Sequence, residues 1–314
     1  MRWVQLVLLA VIVAVLGFSA WKLYRWNQGN EADTGQADTQ SDETGENFYI
    51  EILDQVYRLT ADQLAGKKDD GKNTILCLGN DTFAWDYEGG LTKALAEETG
   101  AEILNGAFPG STVTVKESGE ETDPGDVFSF YHIAMCIAAQ DFSDMEQPVR
   151  DRWEENYNIQ FSYDAIKNAD YEALDTILIY YDAQDYLKQR SGYNPDEEKR
   201  WTDIHTVSGA YASGIRAIQK AYPHIRMVLV TPALVMTYTP EGNPVSADRY
   251  DFGHGTLTTY IDSILQVGEA CGVTVLDNYH GMTDEENSNG YMVDTTHLSE
   301  KGNIAVAKHV ARVL

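Results

Sequence analysis

Thr74-Ile75-Leu76-Cys77-Leu78-Gly79-Asn80-Asp81 is a short apolar run that stops on a glycine and two polar residues. A run of that length with no polar alternation reads as a strand buried on both faces. The pattern returns at Ala101 to Leu104, Thr176 to Tyr180, Arg226 to Val230 (stopped by Pro232) and Val273 to Leu276. Longer amphipathic or apolar stretches separate these runs. Gly90 to Thr99 reads as a helix ending at Gly100, Val127 to Ala139 as a buried helix, and the acidic, tyrosine-rich stretch to Leu174 as helical too. Thr202 is placed as the cap of a helix running to about Tyr222; Thr256 to Cys271 and Glu300 to Val313 complete the set. Strands alternating with helices predict an α/β chain of three layers, α/β/α, around a mainly parallel five-stranded sheet. Ligands of such sheets bind beyond the C-terminal ends of the strands.

Outside this alternation the chain changes character. Trp3 to Trp21 is apolar and uncharged, with aromatic residues Trp3, Trp21, Tyr24 and Trp26 at its ends. Nineteen helical residues reach about 28 Å, close to a bilayer core. The expectation is a transmembrane signal-anchor over 1–26; the rival, a cleaved signal peptide, lacks a clean small-x-small site at Phe18-Ser19-Ala20. Residues 27–46 carry Glu31, Asp33, Asp38, Asp42, Glu43 and Glu46 without a basic residue, which reads as a disordered acidic linker. Phe48, Ile52, Val56 and Leu59 recur at helical spacing and predict a first helix packed on a domain spanning 47–314. Lys67 to Lys72 is a charged loop. The short charged start and long trailing domain place that domain outside the cytoplasm, on a single-pass chain at the cell membrane.

The totals narrow the partners. Acidic residues number 49 against 23 basic, a net charge of −26. That excess repels phosphate backbones and argues against nucleic acid. Cys77, Cys136 and Cys271 are few and set in apolar surroundings, as buried thiols rather than ligands or a disulfide. His132, His205, His224, His254, His280 and His309 show no metal spacing such as His-Glu-x-x-His, so neither a metal nor another cofactor is assigned.

Four polar loops carry the chemistry: Gly79-Asn80-Asp81, Asn105 to Gly110, Asp182-Ala183-Gln184-Asp185, and Asp294-Thr295-Thr296-His297. The last supplies a base and an acid to orient it. In order and spacing the four resemble the SGNH/GDSL hydrolases, a family of esterases, lipases and carbohydrate O-acetyl esterases. The resemblance covers roughly Thr74 to Leu314 and implies a flavodoxin-like fold. It implies His297 as base, Asp294 as its orienting acid, and Gly110 and Gln184 as oxyanion donors. The family's Gly-x-Asn-Asp appears here with Asp182 for the glycine and Gln184 for the asparagine. Its Gly-Asp-Ser appears as Gly79-Asn80-Asp81, so an acid stands where the nucleophilic serine is expected. A carboxylate there has no proton to give, and its charge would repel an oxyanion forming beside it. Thr82, if the turn carries one extra residue, or Asp81 itself would be the substitute nucleophile. The bland alternatives are that Asp294 and His297 cap the last helix, and that Asp81 is a turn acid bonding its own backbone.

The functional expectation is an esterase-type site for O-acyl groups on envelope carbohydrate. A non-catalytic glycan-binding or scaffold module, or an accessory of envelope acyl transfer, is the alternative. Tyr238 to Phe252, with Pro240, Gly242, Asn243 and Pro244, is expected to be a long loop over the site.

Overall fold

The computed structural model describes residues 53–84, 89–116, 123–152, 158–280, 282 and 288–314. The apolar Trp3 to Trp21 stretch and the acidic 27–46 stretch lie outside these residues. Among the described residues no helix is long and apolar enough to cross a membrane.

Five strands form the central sheet: β1 (Thr74–Gly79), β2 (Glu102–Asn105), β3 (Thr176–Tyr180), β4 (Arg226–Val230) and β7 (Thr274–Leu276), in the order β2-β1-β3-β4-β7. Every pairing in it is parallel, with Gly79 opposite Tyr180, and Tyr180 opposite Val230. The remaining strands, β5 (Met236–Tyr238) and β6 (Pro244–Ser246), make a separate antiparallel hairpin.

The longer helices are α1 (Leu91–Thr99), α2 (Phe130–Ala139), α3 (Glu146–Arg152), α4 (Asn158–Asn168), α5 (Val207–Ala221), α6 (Leu257–Cys271) and α7 (Glu300–Ala311). Strand side chains alternate between two cores, because successive residues point to opposite faces. Leu76, Leu78, Ile177, Ile179 and Leu229 pack with α2, α4, α5 and α6. Ile75, Cys77, Leu178, Tyr180, Val228 and Leu276 pack with α1 and α7. Both faces are thus dry, which explains why the strand sequences are apolar throughout instead of alternating.

Several boundaries differ from the sequence reading. The expected helix around Phe48 to Leu59 is not one over 53–59. That segment is extended, and Gln55 pairs antiparallel with Val275 on the free edge of β7 through two backbone hydrogen bonds of 2.9 and 2.8 Å. Val56, one of the residues at helical spacing, is exposed. Sheet-edge hydrogen bonds have won over a weak helical period. The cap of α5 is Thr206, whose hydroxyl accepts from Gly209 N–H at 3.3 Å; Thr202 sits in the preceding turn. The reason is visible in the hydrogen bonds: Asp203 closes that turn by accepting from Asn194 and from His205 N–H, so the helix starts one turn later. The helix expected from Val127 begins at Phe130, behind a 3₁₀ turn over Asp126–Phe128 and a Ser129 cap. The loop expected from Tyr238 to Phe252 opens on the last residue of β5 and contains β6, so the turn of the β5–β6 hairpin lies within it.

Candidate functional site

The turn after β1 begins at a position that admits only glycine. A Cβ on Gly79 would lie 2.2 Å from the Tyr180 carbonyl oxygen and 2.7 Å from the Phe83 ring. Close packing of β1 on β3 is thereby kept to the very end of the strands, where the polar loops start.

Asn80 is fully buried and answers Asp182 across the β1–β3 pair. Its Nδ2 donates to Asp182 Oδ1 at 2.7 Å and to the Ser111 carbonyl at 3.2 Å, and its Oδ1 accepts from Asp182 N–H at 3.0 Å. Gln184 N–H also donates to Asp182 Oδ1, at 3.0 Å. Asp182 Oδ2 is buried and has no hydrogen-bond partner. Burial first, and then the nearby Asp81 charge, push the Asp182 carboxyl up to about 7; Asn80, the Gln184 N–H and the charge of His297 oppose the rise. The loops after β1 and β3 and the loop before α7 therefore lie within electrostatic reach of one another, at the C-terminal end of the sheet.

Asp81 opens a single helical turn, Asp81–Ala84. Its Oδ2 accepts from Gly110 N–H at 3.0 Å. Gly110 has a positive φ of 64°, a backbone that L side chains rarely adopt, and that conformation presents its N–H. The loop carrying it is laced to the first turn. Phe108 N–H donates to the Gly79 carbonyl at 3.0 Å, and Asn105 Nδ2 to the Phe83 carbonyl at 2.8 Å. Thr82 follows Asp81 on the same turn, half-buried. Gln184 begins the short turn after β3, with its backbone N–H committed to Asp182. Asp185 is buried and grips the loop beyond Gly110 through Val113 N–H (2.7 Å), Thr114 N–H (3.2 Å) and the Thr114 hydroxyl (2.8 Å).

Asp294 and His297 form a closed unit. Asp294 Oδ1 accepts from Thr296 and His297 N–H, both at 2.8 Å, and Oδ2 lies 2.7 Å from His297 Nδ1. Burial raises the Asp294 carboxyl, but these N–H donors and the imidazole outweigh it and hold it below its ordinary value. An acid bound to Nδ1 in this way fixes the orientation of the imidazole. Met236 N–H on β5 donates to the Thr295 carbonyl at 2.9 Å, so the hairpin braces this loop. Ser299 caps α7 directly behind it.

Three features of this region escaped the sequence reading. Asp182 reads in the sequence as a stand-in for a glycine, although a polar residue straight after a buried strand is a signal in itself. Lys188 Nζ reaches the Gly110 carbonyl at 2.5 Å. A second Asp-x-x-His, Asp277 to His280, follows β7 with the same spacing as the first; its Oδ2 lies 2.8 Å from His280 Nδ1. Asp277 is almost wholly buried and also accepts from the N–H groups of Leu53, Tyr279 and His280, which makes it a structural anchor. One set of metal-type donors comes together among the described residues, His132, Cys136 and Asp144, none of them in the four loops.

No family model matches the chain. The human isoamyl acetate-hydrolyzing esterase 1 homolog is 32% identical over 89 residues, 28% of this chain and 36% of that protein. The matched stretch thus spans about a third of the relative's length. One solved structure shares 22% identity and a TM-score of 0.53, covering 79% of this chain and 98% of its own. A structural-genomics target from Lactobacillus plantarum shares 16% and 0.50, covering 77% and 95%. A possible lipase from Chitinophaga pinensis stands at 16% and 0.49, covering 76% and 96%. In the order of its four polar loops and in the sheet that carries them, the chain resembles the SGNH/GDSL hydrolases.

Proposed function

We propose that this protein is a membrane-tethered, extracytoplasmic module with an SGNH-type pocket that recognises O-acylated envelope carbohydrate and does not turn it over. The observation that carries this is the bond from Gly110 N–H to Asp81 Oδ2. Gly110 is the donor that would stabilise an oxyanion, and one such donor is worth about 3–4 kcal/mol in a working esterase. Here a resident carboxylate takes it and brings a negative charge to the place where an oxyanion would form. No alcohol stands at that position to attack. The tether is supplied by the apolar Trp3 to Trp21 stretch and the acidic residues after it.

The test uses purified chain in detergent and a chromogenic acetyl ester. The wild type is expected to show background hydrolysis. Asp81→Ser frees the Gly110 N–H and installs an alcohol, so it should gain esterase activity that a further His297→Ala change abolishes. Removing a triad nucleophile costs on the order of a million-fold, which leaves a wide window for that gain.

A second reading, a working esterase of the same class, is favoured by the intact Asp294–His297 pair. Wild-type turnover that falls in His297→Ala would establish it and overturn the first.

A further inference from the structure

His132 and Cys136 stand four residues apart on α2, one helical turn, and so project from the same face. The loop after α2 brings Asp144 against both. Asp144 Oδ2 is 2.9 Å from His132 Nε2, and Oδ1 is 3.8 Å from Cys136 Sγ; the ligand atoms of all three lie within 4.8 Å of one another. Although His132 Nε2 is shielded from solvent and this close to a carboxylate, it makes no hydrogen bond. At 2.9 Å the failing is one of angle: the ring nitrogen is aimed beside the oxygen and not at it. Two ligands of one tetrahedral ion are related in this way, each directed at the centre; the Cys136 thiol instead donates a long hydrogen bond to Asp144 Oδ1, through a proton that the ion would replace. Edges of roughly 3.2–3.6 Å between nitrogen, oxygen and sulfur ligands follow from zinc bond lengths of about 2.0–2.3 Å; the 2.9 Å and 3.8 Å separations here bracket that range, so Asp144 shifts by a few tenths of an ångström when the ion binds.

We propose that His132, Cys136 and Asp144 bind a zinc-class divalent cation, with one coordination position left to water. A thiolate, an imidazole and a carboxylate form a donor set suited to a borderline-soft ion such as Zn²⁺ or Co²⁺ and ill suited to Mg²⁺ or Ca²⁺. Cys136 is buried at 5% exposure, whereas the Asp144 side chain is half open, so the ion enters from the Asp144 side. Once bound, it ties α2 to the turn that leads into α3.

The experiment titrates tag-free full chain in detergent, stripped with chelator, with Zn²⁺ by calorimetry and with Co²⁺ by absorption. One equivalent should bind, and Co²⁺ should give a thiolate-to-metal charge-transfer band in the near ultraviolet. Cys136→Ser should abolish that band. His132→Ala and the surface change Asp144→Asn should each weaken Zn²⁺ at least about tenfold, and Mg²⁺ should not compete. A charge-transfer band that persists in Cys136→Ser, or Zn²⁺ affinity unchanged in Asp144→Asn, overturns the proposal. Because Asp144 is half exposed, loss of folding does not confound that second result.

Discussion

Asp182 has two oxygens in unequal company. Oδ1 accepts from Asn80 and Gln184; Oδ2 is buried with nothing to bond. A neutral carboxyl tolerates that position better than a carboxylate does, so the group holds its proton to about pH 7 against an ordinary 3.8. The sign for stability follows from proton counts. Between about pH 4 and 7 the folded chain keeps a proton on Asp182 that the unfolded chain has released. Stability from this group is therefore full below about pH 4 and is lost as pH climbs through 7. The whole swing is at most about 4 kcal/mol. Asp182→Asn keeps the acceptor for Asn80 but cannot ionise. Its melting temperature relative to wild type should rise from pH 4 to about pH 7 and level off above it; a difference that stays flat across that window would dismiss a raised Asp182. Comparing the two chains at each pH cancels the other carboxylates, including Asp294, whose lowered value acts in the opposite direction.

At the scale of elements, the turn at Gly79 decides whether the polar loops can form where they do. Gly79→Ala drives a methyl into the Tyr180 carbonyl, backbone that cannot step aside, and should cost about 3 kcal/mol or more in urea unfolding. Gly66→Ala, with open space around it, is the control and should be close to neutral. If the two variants unfold together, the close approach of β1 and β3 is not the constraint on Gly79. The apolar runs made all five strands of the sheet legible, since strands buried on both faces cannot hide their composition. Asp294 and His297 stand out through their spacing, and the structure sets His297 Nδ1 2.7 Å from Asp294 Oδ2. What was not legible came from competition between neighbours. The 53–59 segment carries a helical period but is captured by the bare edge of β7, a choice made by a strand more than two hundred residues away. The contact between Asp81 and Gly110 joins loops 29 residues apart, and the metal-type cluster needs Asp144 from beyond the helix that holds His132 and Cys136.

The whole molecule is bound together at the margin where its first described residues meet its last helix. Gln55 pairs with Val275, Tyr57 N–H donates to the Thr274 hydroxyl at 3.1 Å, and Leu53 N–H donates to Asp277 at 3.1 Å. His309 on α7 completes the join, with Nε2 2.7 Å from Asp54 Oδ2 and Nδ1 3.1 Å from Asn278 Oδ1. An edge strand left bare is a template for pairing with another chain, so this strap also guards the sheet. His309→Ala removes a side chain that reaches Asp54 and buried Asn278 together, at a cost of about 1–3 kcal/mol. The strap should open locally before the sheet melts, because it is short and held mostly by its edge contacts. Trypsin reports this directly. Cleavage after exposed Arg58 should quicken in His309→Ala, while cleavage after Lys68, outside the strap and equally exposed, should not change. Equal acceleration at both sites would mean that the variant unfolds globally and that His309 serves the fold as a whole; no acceleration at either would mean that the β7 edge holds the strap without it.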